Sequence, residues 1–551
     1  MASGLGRPAQ RRAAQCRKER GVAGRRATTP PLPSFRRLSL SLSLARALAL
    51  ACAVVAPVRA QDPAPSGDGS VANSWRSHGQ SLLEAEDPVA AWMAFRRARD
   101  AGALATDCEI GLGRAHLMLG NSAFAVAYAE AALRGAPVSQ AAMALCVRAL
   151  IRAREFDAAV RRSGVFVDRS EALSGELLAA RGSALFRVQR IDEAATAYQR
   201  VVDVDPLHPE AHLRLGSGLL PPAEVVVPPA LARAVTVLLR GERAAAIELL
   251  QGVLHAEPNH PIAHRLLGEA VFAQRTAASM ALSDPAFAEL SASLPKPRVA
   301  HLPIAEFVPG YARLSPARRA VVDRTAAMFG SQLGKLISLG GRHDLLAELE
   351  RTTDAAERAS LRGRRTFDGR VWDDVRGVGG AHAATGIEAL DDAATFGFDT
   401  LVHEVAHQVH YLSLPRLQRV RITGLYKRAL AAGRCLDFYA ASNEAEYFGQ
   451  GVEAFASLCK RPGGEATHGH TRFELFAVDR ELHDFIAGLV DFDPLTVPAA
   501  RERVLAAAVG AALRCGRPGD AVVAAAMLPP GELRQRLSAA AAAAVVEARC
   551  H

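Results

Sequence analysis

Residues 182–216 read GSALFRVQRIDEAATAYQRVVDVDPLHPEAHLRLG. The stretch opens on Gly182, carries Ala194 twelve residues on, Tyr198 sixteen on and Pro206 near its end, and reaches the next glycine, Gly216, after 34. Outward from it the same spacing recurs. Gly79 and Gly113 are also 34 apart, and Val147 stands near the position between Gly113 and Gly182 where a further glycine would fall. Ala91, Ala125 and Ala159 keep the small residue, and Phe95 repeats the aromatic. After an insertion carrying Pro221-Pro222 and Pro228-Pro229, the pattern resumes with Ala246, Pro258 and Gly268. Small residues at a fixed period let two antiparallel helices approach closely, and stacking such pairs buries their apolar faces.

This period resembles the tetratricopeptide repeat, with its Leu-Gly, Ala, aromatic and terminal Pro positions; Leu215-Gly216 and Leu267-Gly268 are the best copies. The resemblance implies an α-solenoid over residues 72–270 that offers a concave face to a protein partner. Pro285, Pro295 and Pro297 suggest a linker at 271–296. Residues 297–495 have more aromatic and Gly punctuation and form the second unit. Residues 496–551 are again Ala-rich, broken at Gly516-Arg517-Pro518-Gly519 and Pro529-Pro530, and read as a helical tail.

The chain has 551 residues, half of them apolar and 22% charged, which is a globular composition. Its net charge of +9 is misleading: residues 1–60 carry twelve Arg/Lys and one acid, a net of +11, so the remainder stands at −2. No basic surface is left for a nucleic-acid partner. Within 1–60 an Arg-rich stretch precedes an apolar run, clearest from Ala47 to Val58, and a small-residue site at Val58-Arg59-Ala60. That is the order of a secretory signal peptide, followed by a polar linker at 61–71. It implies export to the periplasm, the cell envelope or the medium, with membrane attachment only if the leader stays uncleaved. Export permits disulfides among the six later cysteines, and Cys435 and Cys459, which flank one helix, are a candidate bridge.

The chemistry concentrates at His403-Glu404-Val405-Ala406-His407. Two His four apart share one helical face, so both imidazoles can reach one zinc ion while Glu404 holds a water beside it. Leu401, Val405 and Leu412 fall on the other face, and Pro415 ends the helix. A third ligand is needed, and the downstream candidates are His410, Asp437, Glu444, Glu446 and Glu453. Residues 442–455 have helical periodicity, with Phe448, Val452, Phe455 and Cys459 on one stripe and Glu446, Gln450 and Glu453 on the other. Spacing alone leaves Glu446 between two roles, because Asn443-x-x-Glu446 also fits a helix-capping box. The Gly-rich stretch from Trp372 to Gly380, with Ala384-Thr385-Gly386 after it, reads equally as an edge strand for substrate or as a turn-rich connection. His382 reads as a surface residue and His468-Gly469-His470 as a loop.

The pair His403–His407 and Tyr439-Ala-Ala-Ser-Asn-Glu-Ala-Glu446-Tyr-Phe448 resembles the catalytic domain of anthrax toxin lethal factor and its relatives, a gluzincin group of zinc metallopeptidases. The resemblance covers about residues 360–490 and implies His403, His407 and Glu446 as zinc ligands, Glu404 as general base and Tyr439 as the phenol donor at the oxyanion. The chain departs from the family at Gly449-Gln450, where an Ala-Glu is usual. The expected fold is therefore mostly α with a smaller α+β domain: a tetratricopeptide-like solenoid, a zincin-type metallopeptidase domain and a helical tail. The expected function is exported, Zn2+-dependent hydrolysis of a peptide or protein substrate, with the repeats binding a protein partner. The alternative is a repeat scaffold with an inactive or structural metal site.

Overall fold

The structure, a computed structural model, describes residues 70–549 apart from 85–86, 171 and 462–468. The leader at 1–60 and most of the 61–71 segment lie outside the described residues. From Ser70 the chain forms helical hairpins: α1 (Ser70–Glu84) with α2 (Pro88–Asp100), α3 (Ala105–Met118) with α4 (Ser122–Gly135), α5 (Gln140–Arg152) with α6 (Phe156–Asp168), and α7 (Gly175–Arg187) with α8 (Ile191–Val204). Gly79, Gly113 and Gly182 lie on the first helix of a pair. Ala91, Ala125, Ala159 and Ala194 lie on the second, with no exposed surface. The aromatic of the motif explains the glycine. A Cβ on Gly79 would stand 2.9 Å from the ring of Phe95, and one on Gly182 would stand 2.9 Å from that of Tyr198. The ring occupies the space a side chain would need.

The next unit differs. Helix α9 (Pro209–Arg214) runs into a single π turn, Leu215–Leu219, and no second helix follows; the Pro-containing insertion takes its place. The hairpin α10 (Pro229–Leu239) with α11 (Arg243–Ala256) then leads to α12 (Pro261–Ser293). The two Leu-Gly copies meet here. A Cβ on Gly216 would lie 2.3 Å from the backbone nitrogen of Arg265, and one on Gly268 would lie 2.7 Å from Leu213.

The linker expected at 271–296 is largely helix, since α12 is 33 residues long and contains Pro285. An interior proline removes one ladder hydrogen bond. Phe287 and Leu290, just beyond it, are buried against Val504 and Ala508 of the tail, and that packing overrides the local signal.

The second unit contains α13 (Pro316–Met328), α14 (Gly330–Ser338), a small sheet, α15 (Glu388–Ala394), α16 (Thr400–Gln408), α17 (Arg416–Ala431), α18 (Glu444–Ala456), α19 (Arg472–Val478) and α20 (Arg480–Ala487). The sheet has three strands in the order β1 (Arg342–Leu346), β3 (His382–Gly386), β2 (Gly377–Val378). Strands β1 and β3 are parallel, with His343 opposite Ala383; β2 pairs antiparallel with β3, with Val378 opposite Ala384. The Gly-rich stretch thus supplies a two-residue edge strand at Gly377–Val378, after a 3-10 turn at Trp372–Asp374, and its Ala384-Thr385-Gly386 part lies in the central strand β3. One core joins Leu401, Val405 and Val409 to Phe448, Val452 and Phe455. The tail forms α21 (Pro498–Arg514), α22 (Pro518–Ala526) and α23 (Glu532–Arg549). Among the described residues no helix is long and apolar enough to cross a membrane.

Candidate metal centre

Helix α16 carries His403, Glu404 and His407. Asp399 caps its start by accepting from the Val402 N–H at 3.1 Å. Glu453 of α18 in turn accepts from the Asp399 N–H at 3.0 Å and is paired with Lys460. Glu453 is fully buried, so it is a tie between the two helices; its periodicity had put it on a polar stripe with Gln450, which is also buried. At the other end Gln408 donates to the carbonyls of Arg342 and Ala381, both at 3.1 Å, and pairs with His343 Nδ1 at 3.1 Å. These bonds fix α16 to the sheet. Burial drives His343 down to about 4, so it stays neutral there.

Helix α18 brings the third group. Asn443 caps it, accepting from the N–H groups of Ala445 and Glu446 at 3.0 Å each. The capping half of the Asn443-x-x-Glu446 signature is therefore present, yet the Glu446 side chain turns to the imidazoles. Its Oε2 lies 3.2 Å from His403 Nε2 and 3.6 Å from His407 Nε2, and the two Nε2 atoms are 2.9 Å apart. The three donors lie within 4.8 Å of one another, and they form the one such cluster found among the described residues. Ligand atoms about 2.0–2.2 Å from one zinc stand roughly 3.3–3.5 Å apart in a tetrahedron, so this donor set fits the ion closely. Burial would raise the Glu446 carboxyl, but its bonds to both imidazoles outweigh this and hold it well below the usual carboxylate range.

Three glycines shape the space around the donors. A Cβ on Gly449 would stand 2.8 Å from His403 Cε1 and 2.9 Å from His407 Cε1. The departure Gly449-Gln450 thus gives the imidazoles room to converge. A Cβ on Gly377 would stand 2.7 Å from Glu404 Oε1, and one on Gly379 would stand 3.2 Å from His407 Cβ. The edge strand β2 therefore lies directly against Glu404. Burial pushes Glu404 up to about 7.

Gly377, Gly379, His403, Glu404, His407 and Glu446 line a cleft of about 1090 Å³, to which α12 contributes Glu269, Phe272 and Met280. Tyr439 lines it too, from the loop before α18, with burial pushing its phenol up. Arg370, which carries no motif, lies in the same cleft. Its Nη2 donates to the Tyr439 oxygen at 3.5 Å and its Nε to Asp368 at 2.9 Å. A local sequence signal for Arg370 does not exist, because its loop reaches the site only through the fold.

The remaining candidates stand apart from the donor cluster. His410 is buried in the π turn after α16, between Tyr411 and Phe448, where burial pushes it down to about 4. Glu444 begins α18 outside the cluster. His382 opens β3 opposite Arg342. Asp437 caps its own loop, accepting from the Ala440 N–H at 2.7 Å. Cys435 and Cys459 are free and buried, so the candidate bridge is not formed; Cys459 Sγ lies 3.9 Å from Cys515 Sγ instead.

His470 is buried between Asp437, 3.4 Å away, and Glu474, 3.0 Å away. Burial alone would lower its pKa, but the Glu474 and Asp437 carboxylates outweigh that and hold it at about 9. In the unfolded chain an imidazole titrates near ~6.5. The folded value is the higher one, so the contribution is complete below pH ~6.5 and is lost as pH rises through about 9. Urea unfolding across pH 6–10 is expected to show a decline of about 3 kcal/mol in this window, absent in His470→Gln. An equal decline in the variant would assign it to other groups.

No protein-family model matches the chain, and no curated protein matches it. Three solved structures are similar to parts of it. MamA from Desulfovibrio magneticus RS-1 is 18% identical over 35% of this chain and 98% of its own, with a TM-score of 0.23. A tetratricopeptide repeat protein from Parabacteroides merdae is 14% identical over 48% of this chain and 94% of its own, with a TM-score of 0.23. Yeast Tom70 is 12% identical over 87% of this chain and 96% of its own, with a TM-score of 0.21. The helical repeat itself stands on the chain's own hairpins and their 34-residue spacing.

Proposed function

We propose that the chain is an exported zinc-dependent peptidase of gluzincin type, with a helical repeat joined to its catalytic unit. The observation that carries this reading is the convergence of His403, His407 and Glu446 within 4.8 Å, in a cleft that also holds the Glu404 carboxylate. Bound by those three donors, zinc would act as a Lewis acid on a carbonyl oxygen and make water more acidic. Glu404 takes the proton of the attacking water and delivers it to the leaving amine. Tyr439 donates to the carbonyl oxygen as it gains charge. The edge strand β2 can take an extended peptide by backbone pairing, which aligns the scissile bond beside Glu404.

The extent of the helical hairpins, residues 70–256, favours a second reading, a repeat scaffold that binds a protein partner and keeps a structural or inactive metal site. One experiment separates the two. The purified mature chain is expected to hold one zinc per molecule and to cleave members of an unbiased peptide mixture, with cleavage stopped by a chelator and restored by zinc. Zinc at one equivalent without any cleavage would favour the scaffold, and no zinc at all would remove both readings of the centre.

A further inference from the structure

Four of the helical hairpins turn through a residue two positions past their first helix. After α3 and α10 this residue is Gly120 (φ +78°) and Gly241 (φ +79°). After α5 and α7 it is Arg154 (φ 64°) and Gln189 (φ 61°). All four close the same helix end, with N–H groups returning to carbonyls of the last turn, such as Arg154 to Ile151 at 2.9 Å and Gln189 to Phe186 at 3.0 Å. A left-handed backbone suits glycine and strains a residue with a Cβ. Two successive pairs accept that strain, and both use the side chain it places.

Arg154 Nη2 donates to the carbonyls of Cys435 and Leu436, at 2.9 and 3.0 Å. That loop carries Tyr439. Its Phe438 ring packs edge-on against Phe156 of α6, centroids 5.8 Å apart, and under the Arg187 guanidinium of α7 at 4.1 Å. Gln189 Nε2 donates to the Phe367 carbonyl at 3.2 Å. That loop carries Arg370. It is also held by the Val371 N–H to the Gly218 carbonyl at 2.8 Å, and by Gly369, where a Cβ would fall 2.5 Å from Ile191. The three metal-type ligands, by contrast, sit on α16 and α18, which pack on each other, with α16 also packed on the sheet. Arg370 and Tyr439 face the same cleft as those ligands, and the Arg370 charge is felt by both Glu404 and Glu446.

We propose that the helical repeat forms one wall of the reaction centre: Arg154 and Gln189 hold the loops that bear Tyr439 and Arg370, and Arg370 serves with Tyr439 as a second donor to the carbonyl oxygen as it gains charge. This rests on the peptidase reading. Arg154 and Gln189 are positioning residues, and the loops their side chains hold account for non-glycine residues at left-handed positions where the sister turns have glycine. The arrangement gives a partner on the repeat a direct route to the reaction rate, through two side chains rather than through the metal.

The test uses the full mature chain and the double variant Arg154→Gly/Gln189→Gly. Glycine is the residue of the sister turns, so the fold is expected to be kept, with an unchanged or higher Tm and unchanged zinc content. Amide hydrogen exchange is expected to speed up in residues 363–372 and 435–442 and to stay unchanged in α16. Turnover on a cleaved peptide is expected to fall about 10- to 100-fold in kcat with KM kept, the effect of donors displaced by about an ångström. Arg370→Ala is expected to lower kcat about 100-fold or more at full zinc content, with partial rescue in Arg370→Lys. Unchanged exchange in both loops would overturn the anchoring. Faster exchange with unchanged kcat would overturn its bearing on the reaction. An Arg370→Ala effect confined to KM, and to peptides with a free carboxyl end, would make Arg370 a carboxylate receptor and overturn the donor role. If Glu404→Gln leaves cleavage unchanged, the peptidase reading itself fails, while the exchange data still report on the anchors.

Discussion

Glu404→Gln is expected to lower peptide hydrolysis about 1,000-fold while zinc content stays at one per chain. The substitution preserves shape, so the space beside Gly377 and Gly379 is still filled and the helix start at Asp399 is untouched. What is lost is a group that can accept and return a proton. Burial already pushes this carboxyl up to about 7, so a neutral amide is easily accommodated and no fall in Tm is expected. The measurement pairs steady-state cleavage with metal analysis of the same sample. Undiminished cleavage would show that Glu404 is not the base and would end the hydrolase reading.

Glu446→Ala is expected to weaken zinc binding by more than about 100-fold, since loss of an outer-shell partner alone costs about 10- to 100-fold. Removing this carboxylate leaves two imidazoles and no third donor within reach among the described residues. Wild-type chain at a thousandfold excess of zinc over its dissociation constant would gain about 4 kcal/mol of stability. In Glu446→Ala most of that gain should vanish. Asn443→Ala separates ligation from capping: it removes the side chain that accepts from Ala445 and Glu446, at a cost of about 1 kcal/mol, and should leave zinc affinity nearly intact. Competitive zinc titration and thermal unfolding of both variants check this pair. Equal zinc affinity in Glu446→Ala and wild type would mean that another group completes the site.

Much of this centre was legible because it is local. His403 and His407 are one helical turn apart, so the helix alone sets their imidazoles on one face. The repeat was legible for a similar reason: Gly182 and Tyr198 meet within one hairpin, sixteen residues apart in sequence. Glu446 was half legible, since its spacing from Asn443 served a cap and a ligand equally, and the cap is in fact made by its backbone. Local signals misled where packing was stronger. Pro285 suggested a break, but the apolar residues beyond it are buried on the tail and the helix runs on. Cys435 and Cys459 looked like a bracket around one helix, yet the thiol nearest Cys459 is Cys515, 56 residues away.

From the amino-acid order come the helical period, the His-Glu-His face and the capped start of the helix that bears Glu446, because each depends on residues within a turn or a hairpin of one another. The meeting of Glu446 with the imidazoles, the placing of Arg370 beside Tyr439, and the hold of Arg154 and Gln189 on their loops come from long-range contacts. Such contacts join residues from 43 to 282 positions apart, and their geometry is set by how helices pack rather than by any spacing along the chain.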